Sequence, residues 1–291
     1  MKSATVALIG RPSSGKSSLV NLLSGHKVSI VTPVPQTTRN TIRGIYSEAR
    51  GQLVFLDTPG FFNSEKKFNL HLQAVMREAT LETDLILYVI DLSRPPGEEE
   101  KALADMVRPY AERTVVAYNK VDLPTRAVEA CEGLVAEISN SLPSVRVSAR
   151  TGSGLEELVQ RLFERAPEGP LLYPTDYYTD QEPGFRIAEM IRERVILHTR
   201  EELPHAVYIE IADLEMHDEG NELWARGFIC VERESQKGIV IGRGGEKIRA
   251  IMREATAELE ALFPYRLSLD FRVKVRPGWR NNSHLLEKLI H

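Results

Sequence analysis

The sequence is poor in residues that tie a chain together covalently. Only two of its 291 residues are cysteine, Cys131 and Cys230, far apart and in apolar surroundings. That excludes a disulfide framework, and no Cys/His cluster has zinc spacing. Two inert thiols in a reduced, cytosolic setting are the expectation. Long hydrophobic runs are also missing. The longest, Leu85–Ile90, falls far short of the ~20 residues that cross a bilayer. The short run Val6–Ile9, ended by Gly10, reads as a strand entering a loop and not as a signal peptide. Neither charge sign dominates, since the net charge is −4. Any nucleic-acid binding must therefore come from local patches. There is no internal repeat and no low-complexity tract. At 42% hydrophobic and 27% charged residues, the composition excludes wholesale disorder and leaves room for two ordinary domains.

Two patterns alternate over the first ~165 residues. Apolar, β-rich runs fall at Ala4–Ile9, Leu53–Leu56, Leu85–Ile90, Thr114–Tyr118 and Val145–Val147. Helix-period segments fall at Ser17–Leu23, Leu70–Leu81, Glu98–Val107, Val128–Ser139 and Leu155–Arg165. Alternation of this kind predicts βαβ units and a mostly parallel sheet, with chemistry in the loops after the strands. The pattern breaks over Ala166–Asp180, which holds three prolines. Beyond it the order becomes helix, strand, strand, helix, Gly-rich loop, helix, strand, ending with Leu267–Val275. The expected organisation is an α/β domain over 1–168, a linker over 169–182 and a smaller α+β domain over 183–291.

Gly10-Arg11-Pro12-Ser13-Ser14-Gly15-Lys16-Ser17 matches G-x-x-x-x-G-K-[ST] between a predicted strand and a predicted helix that continues through Ser18. The glycines let backbone N–H groups turn towards a phosphate, and Lys16 adds a point charge. Ser17 offers a hydroxyl to Mg²⁺. Asp57-Thr58-Pro59-Gly60 closes the strand Leu53–Leu56. An Asp there can hold Mg²⁺, and the Gly60 amide can meet a γ-phosphate. The Pro/Thr-rich stretch from Lys27 to Arg43 offers Thr37 and Thr38 to complete the metal shell. Asn119-Lys120-Val121-Asp122 follows the next strand but one. The Asp122 carboxylate can accept from guanine N1–H and the 2-amino group, which adenine lacks. Asn119 is expected at the purine O6/N7 edge, the Lys120 stem on the ring face, and the Ala149 N–H of Ser148-Ala149-Arg150 at O6.

These motifs, in this order, resemble those of the translation-factor-class GTPases. Thr37-Thr38-Arg39, and Asp57–Gly60 followed by Phe61, are similar to the TrmE–Era branch. The resemblance implies a Ras-like P-loop fold, GTP/GDP and Mg²⁺ as ligands, and Thr38 as the metal-shell threonine. Lys16, Thr38 and Gly60 are then the residues expected to act in hydrolysis. Phe61 stands where Ras-type enzymes carry the glutamine that orients water, so intrinsic turnover is expected to be slow.

Gly242-Arg243-Gly244-Gly245 sits between two helical segments, with Ile241 before it and Lys247, Ile248 and Arg249 after it. This resembles the G-x-x-G loop of KH domains, which clamps about four nucleotides of backbone. Charge in this half is segregated. Glu201–Glu222 is acidic, whereas Arg243, Lys247, Arg249, Arg253, Arg272, Lys274, Arg276 and Arg280 form a basic side. Trp224 and Trp279 read as packing residues. A GTPase domain joined to a type II KH domain resembles the bacterial Era family over the whole chain, including Glu201-Glu202-Leu203-Pro204-His205 and Lys274-Val275-Arg276-Pro277-Gly278-Trp279. That implies a monomeric, cytoplasmic assembly factor of the small (30S) ribosomal subunit that binds the 3′ end of 16S rRNA. It also allows peripheral contact with the inner membrane.

Relatives that use K⁺ as a charge-supplying cofactor carry Asn where this chain has Ser13. GTP hydrolysis should therefore run at nearly equal rates in K⁺ and Na⁺ buffers. A large gain in K⁺ would contradict this.

Overall fold

The computed structural model describes residues 1–62 and 67–290; His291, the last residue of the expected second domain, lies outside them. The chain divides into two compact units. One runs from Met1 to Asp180 and takes in the residues from Glu287 onward; the other is Gln181–Leu286.

The first unit holds β1 (Lys2–Ile9), α1 (Lys16–Ser24), β2 (Ile42–Glu48), β3 (Gly51–Asp57), α2 (Lys67–Glu82), β4 (Leu85–Asp91), α3 (Glu98–Val107), β5 (Thr114–Asn119), α4 (Val128–Ile138), β6 (Ser144–Arg146) and α5 (Leu155–Arg165). One six-stranded sheet has the order β2-β3-β1-β4-β5-β6. All neighbours are parallel except β2 and β3. Every residue of β3, β4 and β5 is buried, as expected of parallel strands covered on both faces. Each large apolar side chain buried this way contributes about 1.5–3 kcal/mol. Because β3 and β4 flank β1, the chain reverses its winding there, and the carboxyl end of β1 opens a crevice.

Strand β2 has no counterpart among the sequence-predicted runs. Its residues, I-R-G-I-Y-S-E, mix polar and apolar types because it is a sheet-edge strand. The segment expected to be a linker covers that edge. Ile45 N–H donates to the Tyr178 carbonyl at 2.9 Å, and the Thr179 hydroxyl donates to the Arg43 carbonyl at 2.8 Å. Gln52, fully buried, accepts from Leu172 and Tyr173 N–H, each at 2.9 Å, and donates back to the Tyr173 carbonyl at 3.0 Å. The stretch up to Asp180 thus belongs to the first unit. Its prolines permit extended chain whose backbone bonds run sideways to the sheet.

The second unit holds α6 (Pro183–Leu197), the short α7 (Leu203–Ala206), β7 (Tyr208–His217), β8 (Glu222–Val231), α8 (Glu234–Ile241), α9 (Glu246–Glu260) and β9 (Arg266–Val275). A final helix, α10 (Ser283–Leu289), follows and was not anticipated from the sequence. The sheet order is β7-β8-β9, antiparallel then parallel. Arg194 on α6 donates to Glu258 on α9 at 2.7 Å, pinning the two helices that cover the sheet. Trp279 is buried, its indole N–H donating to the Ala206 carbonyl at 3.0 Å. It packs, as its sequence context suggested.

Cys131 and Cys230 are both fully buried, and burial pushes each thiol up to about 11. Near neutral pH neither should react with a thiol reagent in the native protein, and both should react in denaturant. A thiol titrating at once in the native state would contradict their burial.

Candidate functional site

The P-loop leaves β1 at the middle of the sheet. A side chain at Gly10 would collide with the Val89 carbonyl. At Gly15, with φ +100°, it would overlap the Asn119 amide. Lys16 opens α1, 5% exposed, and its ammonium donates to the Gly10 and Arg11 carbonyls, each at 3.0 Å. Burial lowers its pKa to about 8, against the pull of Asp57 and Glu100. A cation desolvated at a helix N-terminus is a ready anion site. The loop is braced from α3. Arg11 pairs with the fully buried Glu100, which accepts from the Tyr88 hydroxyl at 2.7 Å. Arg94 donates to the Pro12 carbonyl at 2.7 Å. Ser13, on the rim, has φ +60°.

Three oxygen-bearing side chains converge beside Lys16. The Ser17 and Thr38 hydroxyls lie 3.0 Å apart, and Thr38 donates to Asp57 Oδ2 at 3.4 Å. Asp57 is fully buried, and its Oδ1 has no partner within hydrogen-bond distance. Burial raises the Asp57 carboxyl; nearby hydroxyls and Lys16 pull it back. A buried carboxylate oxygen beside two hydroxyls is a hard-oxygen set that fits Mg²⁺. Thr37 turns away, donating to the Val34 carbonyl at 2.7 Å, so geometry separates the two threonines that the sequence offered. The Thr58 hydroxyl ties the next turn to the Leu8 carbonyl at 2.6 Å. Pro59 leads to Gly60, where a side chain would lie 2.7 Å from the Pro12 Cα. Phe61 N–H donates to the Gly10 carbonyl at 3.2 Å, and its ring joins the apolar cluster of Ile9, Met76 and Tyr88.

The loops expected to read a base are tied to each other and to the phosphate loop. Asn119 is 1% exposed. Its amide donates to the Ser14 carbonyl at 2.8 Å and accepts from Ala149 N–H at 3.0 Å. Asn119 and Ala149 therefore face each other and brace the phosphate loop, instead of both facing outward to a purine edge. The reason is depth: Asn119 ends β5 inside the sheet, where its amide must find protein partners. Asp122 is exposed, and one carboxylate oxygen accepts from the Ser148 hydroxyl at 2.7 Å. A cavity of about 300 Å³ runs between the P-loop and the 30–38 loop, lined by Pro12, Ser13, Gly15, Lys16, Ser17, Ser18, Thr38, Gly60 and Lys120 among others. Asn119, Asp122, Ser148 and Ala149 lie outside its lining.

In the second unit, Gly242, Gly244 and Gly245 have φ of +73°, +56° and +77°. At Gly242, with ψ 175°, the backbone is essentially reserved for glycine, and a Cβ would lie 2.7 Å from that of Lys247. Arg243 and Arg249 are exposed; Ile241, Lys247 and Ile248 are half-buried. The bend presents backbone at the N-terminus of α9 with cations on either side.

A P-loop sheet with these five loops, joined to this glycine-bend unit, defines a GTPase carrying a KH domain. Residues 5–120 match the family model described as 50S ribosome-binding GTPase, and residues 202–280 match the KH domain model. GTPase Era of Treponema denticola is 47% identical, and that of Borreliella burgdorferi 41% identical, each match covering all of both chains. A variant of Aquifex aeolicus Era bound to GDP·AlF4⁻ superposes with a TM-score of 0.92 at 32% identity, over 99% of each chain. Era in complex with MgGDPNP and nucleotides 1506–1542 of 16S ribosomal RNA gives the same score and identity, over 99% of this chain and 98% of that one. The chain belongs to the Era family of GTPases.

Bracing by Asn119 gives a test that needs no nucleotide. Asn119→Ala strands the Ser14 carbonyl and the Ala149 N–H, and should lower the stability of the nucleotide-free first unit by about 2–4 kcal/mol. Urea unfolding reads this directly. An unchanged midpoint would mean that Asn119 serves the ligand alone.

Proposed function

We propose that this GTPase is a guanine-nucleotide switch that grips the 3′ end of 16S rRNA and acts in maturation of the small ribosomal subunit. One observation carries the reading: the bend Gly242–Gly245, with three positive-φ glycines, which contains Arg243 and is followed by Lys247 and Arg249. It lies in a chain that superposes over nearly its full length on a relative holding that RNA segment. Glycines let a phosphate backbone approach closely, the N-terminus of α9 favours anions, and the cations hold the strand electrostatically. Ile241 and Ile248 supply apolar surface for bases. A monomeric state, a cytoplasmic setting and a peripheral contact with the membrane belong to the same reading, supported by family membership.

In the first unit, backbone N–H groups of the P-loop and the Lys16 ammonium receive the phosphates. Ser17, Thr38 and Asp57 would hold Mg²⁺, which when bound neutralises charge on the β- and γ-phosphates. The Gly60 N–H faces the terminal phosphate, and Asp122 accepts from the guanine N1–H and 2-amino group. Phe61 has no group that can orient water or take a proton, so the chain's own contribution is positioning and charge. Turnover is accordingly slow and is raised by a partner or by bound RNA. The Thr38 and Phe61 loops contact the nucleotide in its GTP form only, which biases RNA affinity by nucleotide state.

Gly242→Asp combined with Gly245→Asp should abolish binding of a 16S 3′-end oligonucleotide while leaving GTP hydrolysis without RNA unchanged. Retained RNA binding would remove the KH loop from the mechanism. Single-turnover hydrolysis should accelerate when that RNA is added, and a rate indifferent to RNA would leave two unlinked activities.

A further inference from the structure

Lys120, the second residue of the N-K-x-D loop, sits in the left-handed region at φ +69°. A lysine stays there only if its surroundings insist on it. Backbone bonds hold the turn, Val121 N–H donating to the Val147 carbonyl at 3.3 Å and Leu123 N–H to the Lys120 carbonyl at 3.0 Å, while the Lys120 ammonium is held by Asp91, the last residue of β4, which pairs across the sheet with Asn119. Asp91 is 1% exposed. Its Oδ1 accepts from the Ser93 N–H at 2.9 Å and the Ser93 hydroxyl at 2.6 Å. Its Oδ2 accepts from the Lys120 ammonium at 2.8 Å and has Arg94 Nε 3.1 Å away. Arg94 in turn donates to the Pro12 carbonyl of the phosphate loop. Although burial opposes ionisation, Lys120 and Ser93 hold the Asp91 carboxyl below its ordinary range. One carboxylate thus links the base-side lysine to the phosphate loop, in the order Lys120, Asp91, Arg94, Pro12.

We infer that Asp91 is a positioning residue for guanine-nucleotide binding, fixing the Lys120 side chain where it can lie across the base. The inference rests on the reading of Asn119–Asp122 as the guanine loop. Asp91 touches neither nucleotide nor metal, so it acts through Lys120. Without its charge the ammonium loses the buried carboxylate that holds it, and the aliphatic stem is free to leave the place where a purine face would lie. The chemistry that moves a γ-phosphate, built from Lys16, Ser17, Thr38 and Asp57, is untouched. Asp91 should therefore act on affinity and leave the chemical step alone.

The test is a double-mutant cycle on the full chain with Mg²⁺ present, using fluorescent GDP titration and GTP turnover. Asp91→Asn keeps shape and removes charge; Lys120→Met keeps the stem and removes the ammonium. Asp91→Asn should weaken GDP binding about tenfold and raise KM for GTP similarly, with kcat within about twofold of the parent. The double variant should bind no more weakly than Lys120→Met alone, because both changes break one link. A role in folding alone would instead give losses that multiply, and multiplied losses would overturn the inference. So would GDP affinity in Asp91→Asn within about twofold of the parent. A parent chain that failed to bind GDP would sink the guanine-loop reading itself, a distinct outcome.

Discussion

A nucleotide site assembled from five separate loops needs a common reference, and here it is the carboxyl edge of the four central parallel strands, β3, β1, β4 and β5. β3, β1, β4 and β5 lie side by side, with Leu8 opposite Asp57, Ile9 opposite Tyr88 and Asp91 opposite Asn119 in register, so β4 and β5 extend three residues beyond the end of β1. Hydrogen-bonded register fixes the relative height of the P-loop, the Asp57 turn, the Asp91 turn and the Asn119 loop to within a fraction of a residue. Side chains need then span only the last few ångströms. Asn119 does this between the P-loop and the Ala149 loop. Thr58 does it between the Asp57 turn and β1. Remove the register and no set of side-chain contacts could restore it.

The sequence was most legible where a motif is contiguous and its backbone unusual. Gly10–Ser17, Asn119–Asp122 and Gly242–Gly245 each combine a positive-φ residue with a defined neighbouring element, and Asp57–Gly60 closes a fully buried strand. The apolar strands and amphipathic helices were readable for the same local reasons, with ends shifted by one to three residues. What stayed hidden depends on partners distant in the chain. β2 is half polar because it lies at an edge. The 169–180 stretch looked like a linker because its order comes from Gln52, Ile45 and Arg43, more than a hundred residues earlier. Nor does anything local to Asn119 reveal its bonds to Ser14 and Ala149. Asp91 did leave a signal, an acid closing the apolar run L-I-L-Y-V-I, but only pairing distances give that acid a purpose.

The two halves meet the same physical demand, the close approach of a phosphate to main chain, in different ways. In the P-loop the cation is buried and the loop is clamped by Arg11–Glu100 and Arg94–Pro12. In the KH unit Arg243 and Arg249 are exposed and Lys247 is half-buried. The first suits tight, enclosed recognition of a small polyanion. The second suits a long strand that must enter from the side and leave again, with an affinity tuned by salt.

Three left-handed glycines within four residues also have a temporal consequence. Glycine is the residue with the most freedom to lose, and at Gly242, Gly244 and Gly245 that loss is incurred when the unit folds. A strand that meets this backbone conformation, with Gly242 N–H bonded to the Gly238 carbonyl and Gly245 N–H to the Gly242 carbonyl, meets a bend whose turn is already closed. Diffusion and charge then govern how fast the grip forms, and how long it lasts is left to contacts made elsewhere along the strand.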